Sequence, residues 1–199
     1  MVDFRGLKTC IYGIQGSGKT HFAKNMYKQF QKPLVYAVNK DDDWDNLPNI
    51  YVYKPESRLG AVKEFFDVFI KQAHKWAMEG KIDAVIIDEA DLFFQTNWSF
   101  DPYMTDFVLN HRHLNESSKG NKGIALWLIT RRPQDIPTKI AETAQYNIIF
   151  KLEAYNAIQR FKELHPVLPE MIEKLDYKKH NFVFKELGKD PYIHAPLKT

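Results

Sequence analysis

The stretch Gly13-Ile14-Gln15-Gly16-Ser17-Gly18-Lys19-Thr20 lies directly after the apolar run 7–12 and directly before a segment with helical spacing. It matches the pattern G-x-x-x-x-G-K-[ST], in which glycines let backbone N–H groups wrap a phosphate. The N-terminus of the following helix adds positive potential at the same place. Lys19 is expected to reach the β- and γ-phosphates of ATP, and the Thr20 hydroxyl to ligate Mg²⁺. We therefore predict a nucleotide site formed by Gly13, Gln15, Gly16, Ser17, Gly18, Lys19 and Thr20.

Further apolar runs rich in β-branched and aromatic residues predict a sheet around this loop. The predicted strands cover 7–12, 34–38, 50–53, 82–87, 124–129 and 147–152. Helical spacing is found at about 19–31, 58–79, 102–115 and 137–145, and the polar stretch 39–49 is expected to be a surface loop. Alternating strands and helices predict an α/β fold, with a mostly parallel sheet covered by helices on both faces. The turn residues 188–190 separate two more strand-like runs, 181–187 and 191–195, which predicts a C-terminal antiparallel hairpin.

Length and composition predict a single domain over residues 1–199. A chain of this length with 44% hydrophobic residues can bury one sizeable core, and no linker-like tract divides it. The net charge of +3 permits a nucleic-acid partner without indicating one. The single cysteine, Cys10, excludes a disulfide framework and fits a cytosol-like compartment. No apolar run approaches the roughly 18 residues that span a bilayer, so no transmembrane segment is expected.

A second chemical signal is the run Ala84-Val85-Ile86-Ile87-Asp88-Glu89-Ala90-Asp91, a predicted buried strand that ends in acidic residues. Ligands of such sheets bind at the carboxyl ends of the strands, where the phosphate loop also begins. Asp88 is expected to hold Mg²⁺, and Glu89 to orient and deprotonate an attacking water. The adjacent glutamate favours hydrolysis over phosphate transfer to a bound acceptor, and Asp91 is expected to be solvated or to cap a helix. The two motifs together predict a Mg²⁺-dependent ATPase.

The predicted strand 124–129 leads into Thr130-Arg131-Arg132-Pro133-Gln134-Asp135-Ile136. This segment resembles the T-Q-R-P-x-x-I stretch of the FtsK–HerA superfamily, the DNA pumps that include viral genome-packaging ATPases and the related zonula-occludens-toxin-like phage ATPases. The pair Arg132-Pro133 matches, whereas Arg131 stands where the family usually has glutamine. The resemblance implies a RecA-like P-loop NTPase domain in which this strand lies between the phosphate-loop strand and the strand of the acidic pair. It also implies that Thr130 is a sensor of the γ-phosphate.

Three of the six arginines flank this same strand. The triplet His111-Arg112-His113, at the end of a predicted helix, resembles the R-H element of packaging-type members, which implies that Arg112 is an arginine finger acting on a neighbouring subunit. Arg131 and Arg132 are second choices for stabilising charge on the γ-phosphate, in their own subunit or across an interface. Surface ion pairs remain the alternative for all three arginines. The two histidines are expected to cap the helix or lie on the surface, because residues two apart on a helix face different directions.

The resemblance implies an ATP-driven motor that translocates double-stranded DNA as a ring of identical subunits, with viral genome packaging as the favoured setting. Capsid or virion proteins are then candidate partners, and the host cytoplasm or the virion is the expected location. Two alternatives stay open. One is a phage morphogenesis ATPase that acts in virion assembly. The other is a nucleotide-dependent switch or kinase that does not act on DNA, which a test for DNA-stimulated hydrolysis separates from a motor.

Overall fold

The computed structural model describes residues 2–39, 42–94, 99, 101–114 and 123–196. Within them one sheet contains β1 (Lys8–Tyr12), β2 (Pro33–Tyr36), β3 (Tyr51–Tyr53), β4 (Ala84–Ile87), β5 (Ala125–Thr130), β6 (Tyr146–Ile149), β7 (Phe182–Glu186) and β8 (Tyr192–His194). The strand order is β3-β2-β4-β5-β1-β6-β7-β8. The pairs from β3 to β6 are parallel, whereas β7 and β8 join antiparallel. The predicted fold class, including the C-terminal hairpin, is confirmed.

The helices between the strands are α1 (Lys19–Met26), α2 (Ala61–Glu64), α3 (Ile70–Met78), α4 (Asp91–Phe94), α5 (Pro102–Asn110), α6 (Thr138–Thr143), α7 (Tyr155–Gln159) and α8 (Leu168–Glu173). A π-helical turn, Phe65–Phe69, joins α2 to α3, so the predicted helix 58–79 is a single helix with an altered register. The sequence did not predict α7 and α8. The last residue of the predicted helix 102–115 lies outside the described residues. Among the helices of the described part, none is long and apolar enough to cross a membrane.

Apolar side chains cover both faces of the central strands. In β4, Val85 and Ile87 belong to one hydrophobic cluster, while Ala84 and Ile86 belong to the other. The first cluster includes side chains from α3, α5, α6, α7 and α8, and the second includes Phe22 of α1. Because β4 is buried on both faces, it reads as an uninterrupted apolar run, and its first carboxylate appears only where the strand ends.

The strand order places the chemical motifs at one edge of the sheet. β5 lies between β4 and β1, as the family resemblance implied. In the register of these parallel strands, Tyr12 lies beside Thr130 and Ile87 beside Leu128. The three strands therefore end close together, and the segments that follow them share one crevice.

Three polar or aromatic residues for which a surface position was an expectation are buried, although His111 does take the C-cap position of α5 that was its other expected role. His111 is 3% exposed, with Nδ1 2.8 Å from the Ile124 carbonyl oxygen. Asp91 is 5% exposed, so the prediction of a solvated side chain was wrong. Trp44, within the stretch predicted as a surface loop, is fully buried, although residues 40–41 of that stretch lie outside the described residues. Each of these three side chains has a partner that is distant in the sequence.

The buried His111 predicts a loss of stability in mild acid. Burial lowers the pKa of His111 to about 4, and the charges of Lys8 and Arg112 act in the same direction. An unfolded histidine titrates near 6.5, so the unfolded state binds more protons as the pH falls from about 6.5 to about 4, and folding stability falls across this window. We expect the folded protein to lose about 2 kcal/mol from this group between about pH 7.5 and about pH 5.

Urea unfolding of wild type, His111→Asn and the exposed-site control His21→Asn at both pH values measures this contribution. His111→Asn should lack this part of the acid-dependent loss, whereas His21→Asn should retain it. An identical pH dependence in wild type and His111→Asn would show that His111 does not supply the effect.

Candidate active site

The loop 13–20 is anchored by its backbone to the ends of two neighbouring strands. The Gly13 N–H donates to the Thr130 carbonyl oxygen at 3.3 Å, and the Ile14 N–H donates to the Lys151 carbonyl oxygen at 3.0 Å. Thr130 ends β5, and Lys151 follows β6 by two residues. The position of the phosphate loop is therefore set by the sheet itself.

Two glycines of this loop serve different purposes. A Cβ on Gly13 would lie 2.6 Å from Ser17 Oγ and 2.7 Å from Phe150 Cβ, so no larger residue fits there without rearrangement. A Cβ on Gly16 would meet nothing within 4 Å, although the backbone φ of 76° is unfavourable for other residues. Gly13 is thus needed for the fold of the loop, while Gly16 leaves open space in which a phosphate can approach the backbone.

Lys19 carries a buried positive charge beside this open space. Its Nζ donates to the Ile14 carbonyl oxygen at 2.8 Å, and the residue is 7% exposed. Burial lowers the pKa of Lys19 to about 8, although the nearby Asp88 opposes this shift. Because a neutral carbonyl does not cancel the charge of the ammonium, Lys19 can still bind an anionic group such as a phosphate.

Asp88 follows β4 and is 4% exposed. Its Oδ2 accepts a hydrogen bond from Trp44 Nε1 at 3.3 Å, and its Oδ1 accepts one from the Glu89 N–H at 3.0 Å. Burial raises the pKa of Asp88 to about 6, and the negative charge of Asp42 adds to the shift. Trp44 fixes the orientation of this carboxylate, as partners of metal-binding carboxylates do. A bound cation would relieve the cost of keeping Asp88 ionised.

Glu89 is held in a left-handed backbone conformation, with φ of 56°, and is 5% exposed. Its Oε1 accepts a hydrogen bond from Asn39 Nδ2 at 3.0 Å and forms an ion pair with Arg131. A second guanidinium, that of Arg58, lies 3.6 Å from Oε2. Oε2 is buried and has no hydrogen-bond partner among the described residues. This oxygen is the acceptor that could bind and deprotonate a water.

The side chains of Thr130 and Arg132 already bond to neighbouring residues. Thr130 Oγ1 donates to Asp91 Oδ1 at 2.9 Å and accepts the Arg132 N–H at 3.0 Å. Because a threonine has one O–H donor, direct contact of this donor with a phosphate requires that the bond to Asp91 be exchanged. The Arg132 side chain pairs with Asp135 at 3.0 Å and is 58% exposed.

A cavity of about 160 Å³ brings most of the predicted site together. Predicted residues that line it are Gln15, Gly16, Lys19, Thr20, Asp88, Glu89, Thr130 and Arg131. Gly13, Ser17 and Gly18 shape the loop behind this cavity. Arg132 does not line it. The combination of an open backbone cradle, an ammonium, a hydroxyl and a buried carboxylate fits a nucleotide phosphate with Mg²⁺.

Arg112 lies far from this cavity in its own chain. Its backbone packs against Gly123, just before β5 begins, whereas the cavity lies where β5 ends at Thr130. The six residues of β5 place the two ends of the strand roughly 20 Å apart. Arg112 is exposed at the opposite edge of the sheet, so it does not complete its own subunit's site.

Four residues that contact side chains of the site were not predicted from the sequence to act there. Asn39 and Arg58 contact Glu89, Trp44 contacts Asp88, and Asp91 contacts Thr130. Arg58 could have been noticed because arginine is scarce in this chain. For the other three, no local pattern distinguishes them from ordinary loop or capping residues.

Comparisons with known proteins agree with this architecture. The family model described as "ATPase family associated with various cellular activities (AAA)" matches residues 9–153. The structure of B204, the DNA-packaging ATPase from Sulfolobus Turreted Icosahedral Virus, is similar with a TM-score of 0.78 at 18% identity, covering 98% of this chain and 100% of that chain. The genome packaging NTPase B204 from Sulfolobus turreted icosahedral virus 2, in complex with ATP-gammaS, gives a TM-score of 0.78 at 16% identity, covering 97% and 98%.

A third similar structure is the pCW3 conjugation coupling protein TcpA, with a TM-score of 0.61 at 15% identity, covering 96% of this chain and 60% of that chain. At these identities the structural matches show a shared fold. They confirm the fold that the FtsK–HerA resemblance implied from residues 130–136.

Substitution of Gly13 should mainly lower the stability of the fold, whereas substitution of Gly16 should mainly weaken ATP binding. Gly13→Ala places a methyl group against Ser17 and Phe150, so we expect a loss of about 2 kcal/mol or more in the free energy of unfolding. Gly16→Ala should cost only about 1 kcal/mol, for its backbone conformation, but should weaken ATP binding at least about tenfold because the methyl group enters the phosphate cradle.

Urea unfolding without nucleotide and calorimetric titration with ATP measure the two quantities. Equal loss of stability in both variants would contradict the separate roles assigned to the two glycines.

Proposed function

This chain belongs to the AAA family of ATPases, and we propose that it is a motor that uses Mg²⁺-dependent ATP hydrolysis to translocate double-stranded DNA. ATP hydrolysis follows from the family and from the cavity in which Lys19, Asp88 and Glu89 meet. The DNA-translocating part is carried by the whole-length fold match to B204, which is described as a DNA-packaging ATPase. A match of this extent involves the C-terminal hairpin as well as the nucleotide-binding core.

Each residue of the cavity has a separate role in the proposed hydrolysis. The loop backbone and Lys19 bind the phosphates, while the Thr20 hydroxyl and the Asp88 carboxylate hold Mg²⁺. The metal supplies positive charge where negative charge develops on the transferring phosphoryl group. Glu89 Oε2, a buried acceptor with no hydrogen bond among the described residues, orients the water and takes its proton.

We assign Arg131 to its own subunit's site, because its guanidinium already reaches Glu89 there. A γ-phosphate competes with Glu89 for this guanidinium, since both are anions that accept paired N–H bonds. ATP binding would then release Glu89 Oε1 and place Arg131 on the phosphate. Thr130 would report the same event through its hydrogen bond to the buried Asp91.

Arg112 is proposed as the finger that acts across a subunit interface. The nucleotide cavity of the same subunit lies at the other end of β5. A nucleotide that Arg112 contacts must therefore belong to a neighbouring subunit. A repeated head-to-tail contact of this kind forms a ring when its rotation closes. The active form is accordingly proposed to be a ring of identical subunits, with each site completed by the next chain.

Viral genome packaging is the proposed setting, with the host cytoplasm or the virion as the location and capsid or virion proteins as further partners. Two B204 structures, both described as genome- or DNA-packaging enzymes, support this choice. We further propose that residues 1–199 work as a single ATPase domain. The continuous eight-stranded sheet, which runs from β1 to β8 within the described residues, supports this view.

The motor proposal predicts ATP-dependent movement along duplex DNA. In a triplex-displacement assay, wild type should release a third strand bound to double-stranded DNA, and linear DNA should stimulate its ATP hydrolysis. Lys19→Ala should lose ATP binding by about 100-fold or more, because the buried ammonium contacts the phosphates. Glu89→Gln should bind ATP within a few-fold of wild type but hydrolyse it at least about 100-fold more slowly.

Both variants should leave the third strand in place, although only one of them fails to bind ATP. Robust hydrolysis by wild type that neither responds to DNA nor displaces the strand would favour a nucleotide-dependent switch over a motor. Full hydrolysis by Glu89→Gln would refute the assignment of the catalytic base.

The finger proposal predicts complementation between two inactive variants. Arg112→Ala should bind ATP normally, yet a uniform assembly should hydrolyse it roughly 1,000-fold more slowly than wild type. Mixing Arg112→Ala with Glu89→Gln should restore activity, because some interfaces then combine an intact Glu89 with an intact Arg112. Arg5→Ala, at an exposed arginine paired with Asp3, is the matched control and should stay active. Mixtures as inactive as their parents would show that Arg112 is not the finger.

A further inference from the structure

The segment that follows β5 has few backbone donors of its own. It runs from residue 131 to residue 138 and contains Pro133 and Pro137, neither of which has an N–H group. A 3₁₀ turn over Pro133–Asp135 closes with the Ile136 N–H bonded to the Pro133 carbonyl oxygen at 3.2 Å. The next bond of such a turn would require an N–H on residue 137. The Gln134 carbonyl oxygen therefore has no donor at the next position of its own turn.

The guanidinium of Arg160 supplies that donor from a distant part of the chain. Its Nη1 donates to the Gln134 carbonyl oxygen at 3.3 Å, while its Nη2 donates to the Ile136 carbonyl oxygen and, at 3.0 Å, to Thr138 Oγ1. One planar group thus holds acceptors on residues 134, 136 and 138. All three acceptors are neutral, so these bonds fix the geometry of the segment without neutralising a carboxylate.

The Thr138 hydroxyl serves as both acceptor and donor in this contact. Its Oγ1 accepts from Arg160 and donates to Glu163 Oε2 at 3.3 Å. Because a hydroxyl has a single proton, Thr138 has no further proton to donate. Arg160 and Glu163 are the first and last residues of one 3₁₀ turn, so this turn contacts Thr138 through both of its ends.

The 3₁₀ turn that carries Arg160 packs on the sheet beside the phosphate loop. Phe161, the next residue, is 2% exposed, and its ring lies edge-on to that of Tyr12 with centroids 5.0 Å apart. Tyr12 ends β1 and directly precedes Gly13. The Tyr12 hydroxyl is in turn bonded to Asn147 Oδ1 of β6 at 3.1 Å. Arg160 therefore extends from a well-packed base onto the segment after β5.

Arg131 is the first residue of the segment that Arg160 holds. Its ion pair with Glu89 requires the backbone at residue 131 to lie where the guanidinium reaches that carboxylate. The near end of the segment is fixed by Thr130, which ends β5. The far end, residues 134–138, is fixed by Arg160. Since a displacement of about 1 Å at a reacting group is enough to lower a rate, both attachments affect hydrolysis.

We propose that Arg160 is a positioning residue for Arg131: it fixes the segment 131–138 so that the Arg131 guanidinium lies at Glu89 and can transfer to the γ-phosphate. The proposal rests on the role proposed above for Arg131 in hydrolysis, but not on the use of DNA. Arg160 does not line the cavity of about 160 Å³, so it acts through the segment rather than on the substrate. It also lies beyond residues 9–153, so the match to the AAA family model does not indicate it.

Amide hydrogen exchange without nucleotide tests the placement of the segment. The variant is Arg160→Gln, which removes the planar guanidinium, and the matched control is Lys162→Gln, which removes an exposed charge from the same 3₁₀ turn. We expect the amides of Asp135 and Ile136 to exchange at least about threefold faster in Arg160→Gln, and at the wild-type rate in Lys162→Gln. Unchanged exchange over residues 131–138 in Arg160→Gln would overturn the proposal, whatever the protein does with ATP.

ATP hydrolysis in a double-mutant cycle tests the action through Arg131. Arg160→Gln should lower kcat about tenfold and leave the KM for ATP within about threefold of wild type, and Arg160→Lys, which keeps the cation, should recover part of the loss. In an Arg131→Ala background, Arg160→Gln should change kcat by less than about twofold, because the group that it positions is gone.

A purely structural role would lower kcat in both backgrounds, so equal losses in the two would overturn the proposal. Wild-type kcat in Arg160→Gln would overturn it as well. Wild-type kcat in Arg131→Ala would refute the role proposed for Arg131 in hydrolysis, and this proposal with it. Hydrolysis that does not respond to DNA would refute the motor alone, because the cycle measures hydrolysis without DNA.

Discussion

The burial of two opposite charges at the carboxyl edge of the sheet is the constraint on which the site depends. Lys19 and Asp88 are each bonded to neutral partners, a carbonyl for the ammonium and an indole and an amide for the carboxylate. Burial lowers the pKa of Lys19 to about 8 and raises the pKa of Asp88 to about 6, so in both cases it favours the neutral form. The folded chain therefore keeps two ions partly desolvated, and the phosphates and metal of the proposed nucleotide ligand would compensate both at once. The parallel order β4-β5-β1 makes this arrangement possible because it brings three strand ends into one crevice.

Glu89, the proposed catalytic base, is held in place by its neighbours. Its backbone is fixed in a left-handed turn, and one carboxylate oxygen is bound by Asn39 and Arg131. The other oxygen, Oε2, has no hydrogen bond among the described residues and lies 3.6 Å from the Arg58 guanidinium. Arg131 stands where the FtsK–HerA stretch that residues 130–136 resemble usually has glutamine, and a guanidinium differs from an amide because it can pair with either a carboxylate or a phosphate.

Local patterns predicted the phosphate loop, the acidic pair and the strands well, because each depends on neighbours in the sequence. They failed where burial comes from distant partners. Trp44 lies in a polar stretch but belongs to the second hydrophobic cluster and donates to Asp88, and the His111 ring lies beside the Ile124 carbonyl. The helices α7 and α8 have five and six residues, too few turns for an apolar period to be recognised. The cavity of about 540 Å³ beside the phosphate loop was also missed, since part of its lining, His180 and Phe182, comes from the C-terminal part of the chain.

The backbone anchoring of the phosphate loop also connects the loop to an outer helix. Ile14 is bonded to the carbonyl of Lys151, and the Lys151 ammonium in turn donates to the Glu173 carbonyl oxygen at the end of α8, at 2.7 Å. The loop, the end of β6 and an outer helix are thus linked through one residue. A shift of the loop backbone at Ile14 would therefore reach residue 151 first, at the point where the end of β6 and the end of α8 are both bonded to it.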